Sequence, residues 1–315
     1  MKCNIVTIGG GSGLSTLLRG LKKYPVNITA VVAVSDDGGS SGKLRTEFGV
    51  LPPGDIRNCL VALSEEENLM TKLFGYRFPK KGSLSNHSFG NLFLTALSSI
   101  SGGFDKAITN ASSILAIKGK VLPVSLDNVI LKAELEDGTR VSGETKISRS
   151  KKNISHVEIF PKNAKSSKSV TDAILNADYV ILGPGSLYTS IIVNLLFKGV
   201  INALRKTKAK KIYVCNIMTQ VGETTNFKLS DHINAIEKHS YKGIIDIVLV
   251  NNGKIHPSVA QRYKKEKSMP VIVDKKALKN VKIIEKDFIS KTQYAHHDYT
   301  KLAKVIFNLP GRKLK

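Results

Sequence analysis

Two glycine-rich turns carry residue types suited to holding an anion: Gly9-Gly10-Gly11-Ser12-Gly13 near the start of the chain, and Gly183-Pro184-Gly185-Ser186 past its middle. Glycine lets a backbone approach a ligand closely, and the first N–H groups of a following helix have no partner inside that helix. Such a turn therefore offers donors to a phosphate. Neither nucleotide fingerprint is met. The dinucleotide pattern would need glycine where Leu14 stands, and neither this turn nor Gly42-Lys43-Leu44 supplies the Gly-Lys-Ser/Thr of a Walker loop. Phosphate binding follows from these turns; a choice of NAD or ATP does not.

Further polar groups sit where they could complete such a site. Asp36 and Asp37 follow the second apolar run, in a loop that also holds Ser40. A carboxylate there can accept from a ribose hydroxyl, and two adjacent aspartates are candidate ligands for a Mg²⁺ shared with substrate phosphates. Asp55 is placed to cap the helix of Leu60, Val61 and Leu63, with Arg57 and Asn58 in its first turn; an arginine there can face an anion, although helical arginines are usually exposed. His87 and Asn91 flank another helix start, where a histidine can donate to a phosphate or move a proton near neutral pH. Thr189 follows the second glycine turn, and Asn216, Thr219 and Gln220 lie in a later polar loop.

The elements that must position these groups read as alternating strands and helices. The β-branched run from Asn4 to Ile8 feeds the first turn, and Leu14, Leu17, Leu18 and Leu21 repeat at about 3.6-residue helical spacing. Buried strands are expected at Ile28–Val34, Asp178–Leu182, Lys211–Cys215, Ile247–Asn251 and Pro270–Asp274, and a closing helix from Asp298. Between them the character changes: Glu136-Asp137-Gly138 sits between two strand-like runs as a hairpin turn, and Ile154–Phe160 adds a third. The fold class is thus α/β, a Rossmann-like three-layer fold with a mostly parallel sheet and a small β-rich insertion. Residues 1–120 and 170–309 make the ligand-binding domain, 121–169 the insertion and 310–315 a basic tail. In such a sheet the loops leaving the strand carboxyl ends share one edge, and most of the polar loops fall there.

Composition narrows the partners. The 315 residues are 42% hydrophobic, enough for a sizeable core, and carry a formal charge of +23, which points to nucleic acid, a membrane surface or a phosphorylated small molecule. No nucleic-acid motif and no interleaving of aromatic with basic residues is present, which argues against nucleic acid. No run reaches the ~18 apolar residues of a membrane span, and the chain enters a strand without a signal-like segment, so a cytoplasmic protein is expected. Cys3, Cys59 and Cys215 are too scattered for a disulfide framework or a zinc site and read as reduced thiols.

In order along the chain, the motifs at Gly9–Ser15, Ser35–Gly42, Leu51–Ser64, His87–Leu92, Ala177–Ile191 and Cys215–Thr224 resemble the gluconeogenesis factor (YvcK-type) family, sister to the 2-phospho-L-lactate transferase (CofD-type) enzymes. The resemblance spans nearly the whole chain. It implies a Rossmann-like domain binding a nucleotide-linked ligand. In the factor branch that ligand is a UDP-sugar, notably UDP-N-acetylglucosamine, and the protein supports cell-wall synthesis and cell shape during growth on gluconeogenic carbon sources; a cell-wall or regulatory protein partner and a homo-oligomer are left open. In the transferase branch it is a guanylyl-activated phospholactate, with a deazaflavin acceptor and Mg²⁺. The resemblance also implicates Tyr263, and the position of His296, where the family commonly has arginine, in contacting the nucleotide sugar. A neutral imidazole there attracts a diphosphate less, and Arg262 is placed to restore charge. The leading expectation is a nucleotide-sugar-binding regulator without turnover; the alternative is a Mg-dependent group-transfer enzyme, and no catalytic residue is assigned.

Overall fold

The computed structural model describes residues 2–65 and 69–309, so the 310–315 tail lies outside the described residues. Seven parallel strands form the main sheet: β1 (Cys3–Gly9), β2 (Val26–Val32), β3 (Lys120–Pro123), β7 (Tyr179–Leu182), β8 (Lys210–Val214), β9 (Ile247–Asn251) and β10 (Lys282–Lys286). Their order is β10-β9-β8-β7-β1-β2-β3. A parallel strand covered on both faces needs apolar side chains on both, and all four residues of β7 are buried accordingly.

The strand order reverses between β1 and β7. From β1 the chain steps outward to β2 and β3; from β7 it steps the opposite way to β8, β9 and β10. Right-handed crossovers in opposite directions place their helices on opposite faces. On one face Gly11–Leu21 packs against Gly54–Leu63 and Tyr299–Phe307; elsewhere Lys168–Leu175 packs against Lys198–Lys206. The Gly11–Leu21 and Tyr299–Phe307 contact is close enough that a Cβ on Gly20 would fall 2.2 Å from the Tyr299 carbonyl oxygen.

A second, antiparallel sheet of β4 (Ile130–Leu135), β5 (Arg140–Ser142) and β6 (Ile154–Phe160), ordered β5-β4-β6, forms the insertion, with the hairpin at Asp137-Gly138. Residues 120–123, at the junction of the first segment and the insertion, belong to the main sheet through β3. The turn after β5 enters a helix, Glu144–Arg149, that the strand-like pattern through Thr145 conceals.

One expected strand is corrected. Pro270–Asp274 makes only isolated bridges at Pro270 and Ile272, and the strand beside β9 is Lys282–Lys286. The earlier run is the more apolar, yet Ile272 is 49% exposed, whereas β10 lies at the sheet's end, where charged residues discourage further pairing. The Ser35–Gly42 loop is also shorter than the sequence implies, because a helix begins at Gly39. The second glycine turn runs into one π-helical turn, Leu187–Ile192.

Among the described residues no single helix is long and apolar enough to cross a membrane; Leu187–Leu195 and Lys198–Lys206 pass such a test only together, bent by 75°.

Candidate functional site

The two glycine turns leave β1 and β7, the strands on either side of the reversal, and they touch. A Cβ on Gly13 would lie 2.4 Å from the Pro184 carbonyl oxygen, and one on Gly185 would lie 3.5 Å from that of Gly10. At Gly13 only a residue without a side chain allows this approach. Gly11 moreover holds φ +64, where other residues are strained.

Two cavities open along this seam. The smaller, about 270 Å³, is lined by Gly10, Gly11, Ser12, Gly13, Asp36, Asp55, Glu144, Ser148, Gly185, Ser186, Thr189 and Ser190. The larger, about 400 Å³, shares Ser12, Gly13, Gly185 and Ser186 with it and continues along Asn216, Thr219, Gln220, Tyr263, His296 and His297. Loops leaving β1, β2, β7 and β8 thus meet in one cleft, at the topological switch point where open α/β sheets place their ligands.

The side chains in the smaller cavity are held by one another. The Gly11 N–H donates to the Asp55 carboxylate at 2.6 Å, which places the first turn of Gly11–Leu21 against Gly54–Leu63. Asp55 was expected to cap its own helix; instead it lies one residue inside it, and the capping position is Pro53. Burial, with Asp36 nearby, pushes the Asp55 carboxyl up to about 6 despite the Gly11 bond. Glu144, carried in by the insertion, accepts from the Ser35 hydroxyl at 2.9 Å, and burial beside Asp36 and Asp55 pushes it well above the usual carboxylate range. Neither Lys nor Arg lines either cavity. An anion entering there would meet backbone N–H groups rather than formal positive charge.

The far wall is braced by Glu223, which is fully buried and accepts from the Thr189 hydroxyl at 2.9 Å and the Tyr188 N–H at 3.2 Å. Ser186 donates to Gln220 at 2.9 Å, joining the second glycine turn to the loop after β8. Burial holds His297 down at about 4, its ring bonded to the Cys215 backbone. Its Nε2 is buried without a protein partner.

Several expected residues stand elsewhere. Asp37 faces away and accepts from the Thr145 N–H at 2.8 Å and its hydroxyl at 2.7 Å, tying the insertion to the core. It does not line the cavity that Asp36 lines, and among the described residues no group of three or more His, Cys, Asp or Glu side chains is arranged to hold a metal ion. Ser40, His87 and Asn91 form a buried trio outside both cavities, the Ser40 hydroxyl lying 3.1 Å from His87 Nδ1 and 3.1 Å from Asn91 Nδ2. Gly183, at φ +81, shapes the second turn without lining either cavity. Arg57, against the usual exposure of helical arginines, is buried and bonded to Asn58, and neither residue lines either cavity. Arg262 turns away from the larger cavity, donating to the Gln293 carbonyl at 2.8 Å and covering the Tyr294 ring at 5.1 Å; adjacent helical residues point about 100° apart, so it cannot follow Tyr263.

Glu144, Ser148, Glu223 and His297 were not anticipated. Glu144 and Ser148 reach the cleft through a long-range fold-back, for which no local pattern exists. The acid three residues beyond Gln220 was the available signal for Glu223.

A doubly wound α/β protein with paired glycine turns at its switch point is the class this architecture defines. The family model for 2-phospho-L-lactate transferase CofD matches residues 5–289. A putative gluconeogenesis factor of Clostridium acetobutylicum is 53% identical over 309 residues, 96% of this chain and 68% of the relative. The gluconeogenesis factor of Bacillus subtilis is 45% identical over 311 residues, covering 98% of each chain. A crystal structure of a Bacillus halodurans protein superposes with a TM-score of 0.95 at 47% identity, over 98% of this chain and 100% of that one. The chain belongs to the CofD family and groups within it with the bacterial gluconeogenesis factors.

Proposed function

We propose that the chain is a nucleotide-sugar-binding regulator whose ligand is UDP-N-acetylglucosamine. The observation that carries this reading is the contact of two glycine turns across the switch point, which lines one cavity with the backbone of both. The diphosphate lies on those amides, a form of anion recognition that needs no lysine. Asp36 accepts from the ribose, Glu144, whose burial favours its protonated form, donates to a phosphate oxygen, and the larger cavity takes the remainder beside Tyr263 and His296. Close relatives are gluconeogenesis factors by name. From that likeness we infer a cytoplasmic role in supporting cell-wall synthesis and cell shape on gluconeogenic carbon sources. A regulator must bind this ligand more tightly in one conformation than in another, and so changes its engagement with a partner.

Thermal unfolding with UDP-N-acetylglucosamine, with and without Mg²⁺, tests the reading. Ligand at one hundred times its dissociation constant should stabilise by about 2.7 kcal/mol with no nucleotide released. Asp36→Ala should remove that stabilisation and leave the fold intact. No stabilisation of the unmodified protein refutes the ligand, and Mg²⁺-dependent release of a nucleotide monophosphate would make it a transferase.

A further inference from the structure

Outside both cavities, the stem of Arg57 lies against the start of the helix Phe89–Ser101, and the backbone of Arg77 pairs beside it. Arg57 is only 5% exposed, and its Nε is buried without a hydrogen-bond partner. Nη2 donates to Asn58 at 2.6 Å. The stem crosses the helix's first turn, where a Cβ on Gly90 would lie 2.9 Å from its Cγ and 2.8 Å from its Cδ. The backbone of Arg77 bridges to Ser88, the residue capping the same helix, and its side chain is exposed.

Among the described residues neither arginine forms a salt bridge. The charge of Asp55 reaches Arg57, but that carboxyl is engaged by the Gly11 N–H. The buried Arg57 thus lies by the positive end of a helix, within electrostatic reach of a second guanidinium, that of Arg77, and without a salt-bridge partner among the described residues. Burying an unpaired cation is costly, and a helix N-terminus adds to the cost. An anion relieves both. Guanidinium groups present forked N–H donors that match phosphate oxygens.

We propose that Arg57 and Arg77 form a second oxyanion site, for a phosphate group, separate from the glycine cleft. Arg77 supplies the exposed half and Arg57 the inner half, with Gly90 leaving the space in which Arg57 lies.

Inorganic phosphate is the probe, titrated calorimetrically in phosphate-free buffer against the full chain. Arg77→Gln should weaken binding at least tenfold, whereas Lys80→Gln, an exposed cation on the same loop, should change it less than twofold. Arg57→Met should unfold at a higher temperature than the unmodified protein without phosphate, and gain nothing from its addition. Saturating UDP-N-acetylglucosamine should leave the phosphate dissociation constant within twofold, whether or not the sugar nucleotide itself binds. Absence of phosphate binding, an Arg77→Gln variant that binds normally, or displacement of phosphate by the nucleotide each overturns the proposal.

Discussion

The Asp55 carboxylate and the Gly11 N–H, 44 residues apart in sequence, are joined at 2.6 Å, so one helix holds the first turn of another through a single side chain. This acid is also the group through which pH reaches the cleft. A carboxyl raised from 3.8 to about 6 binds its proton more tightly in the folded chain. Its contribution to stability is full below about pH 3.8 and is lost as pH rises through 6, a difference on the order of 3 kcal/mol. Asp55→Asn keeps an acceptor for Gly11 and removes the charge. Thermal unfolding should show the variant several degrees more stable than the unmodified protein at pH 8, with the gap closing by pH 4.

Gly13→Ala tests the seam between the turns. Its new methyl would meet the Pro184 carbonyl carbon at 2.7 Å, so backbone must move. A cost of about 1–3 kcal/mol is expected, as for overpacked sites, together with loss of the UDP-N-acetylglucosamine stabilisation. Urea unfolding measures the first and a melting shift the second; a variant that keeps both values would separate the turns from the ligand.

His239 fastens the insertion to the core. Its Nε2 accepts from the Val157 N–H at 3.1 Å, its Nδ1 bonds the Ala235 carbonyl at 2.8 Å, and its ring stacks on His156 at 4.8 Å. Burial lowers it from 6.5 to about 4, so the unfolded chain binds the extra proton as pH falls between those values, and stability is lost over that window. His239→Phe carries a constant deficit instead. Between pH 7.5 and 4.5 its unfolding free energy should fall by about 2–3 kcal/mol less than that of the unmodified protein. Parallel pH profiles would remove His239 from the account.

His296→Arg bears on nucleotide affinity. A permanent cation in the wall of the larger cavity should tighten UDP-N-acetylglucosamine binding roughly threefold to tenfold at pH 7.5. Calorimetry decides it, and an unchanged affinity would mean that charge at this position is not what the ligand feels.

Glycine made the cleft's backbone legible in the sequence. The turns at Gly9–Gly13 and Gly183–Gly185 have few other physical uses at the ends of buried strands, and the hairpin at Asp137-Gly138 was equally local. Side-chain direction was not legible. Asp36 and Asp37 are neighbours with the same chemistry, yet one lines the cavity and the other ties down Thr145. Arg57 looked like an exposed helical cation because burial depends on what packs over it, here the first turn containing Gly90. Glu144 was missed because its route into the cleft depends on how a whole sheet docks. The run Val271-Ile272-Val273 misled for the opposite reason: its composition favours a strand, but the sheet's edge was taken by Lys282–Lys286.

The seating of Tyr299 against Gly20 makes the last described helix a clasp on the first. A nascent chain that has emerged only as far as β10 already possesses both glycine turns, but the helix rising from the first has no backstop. A ribosome that stalls short of residue 299 therefore leaves a product that has every strand of the sheet and lacks the helix that clasps the first.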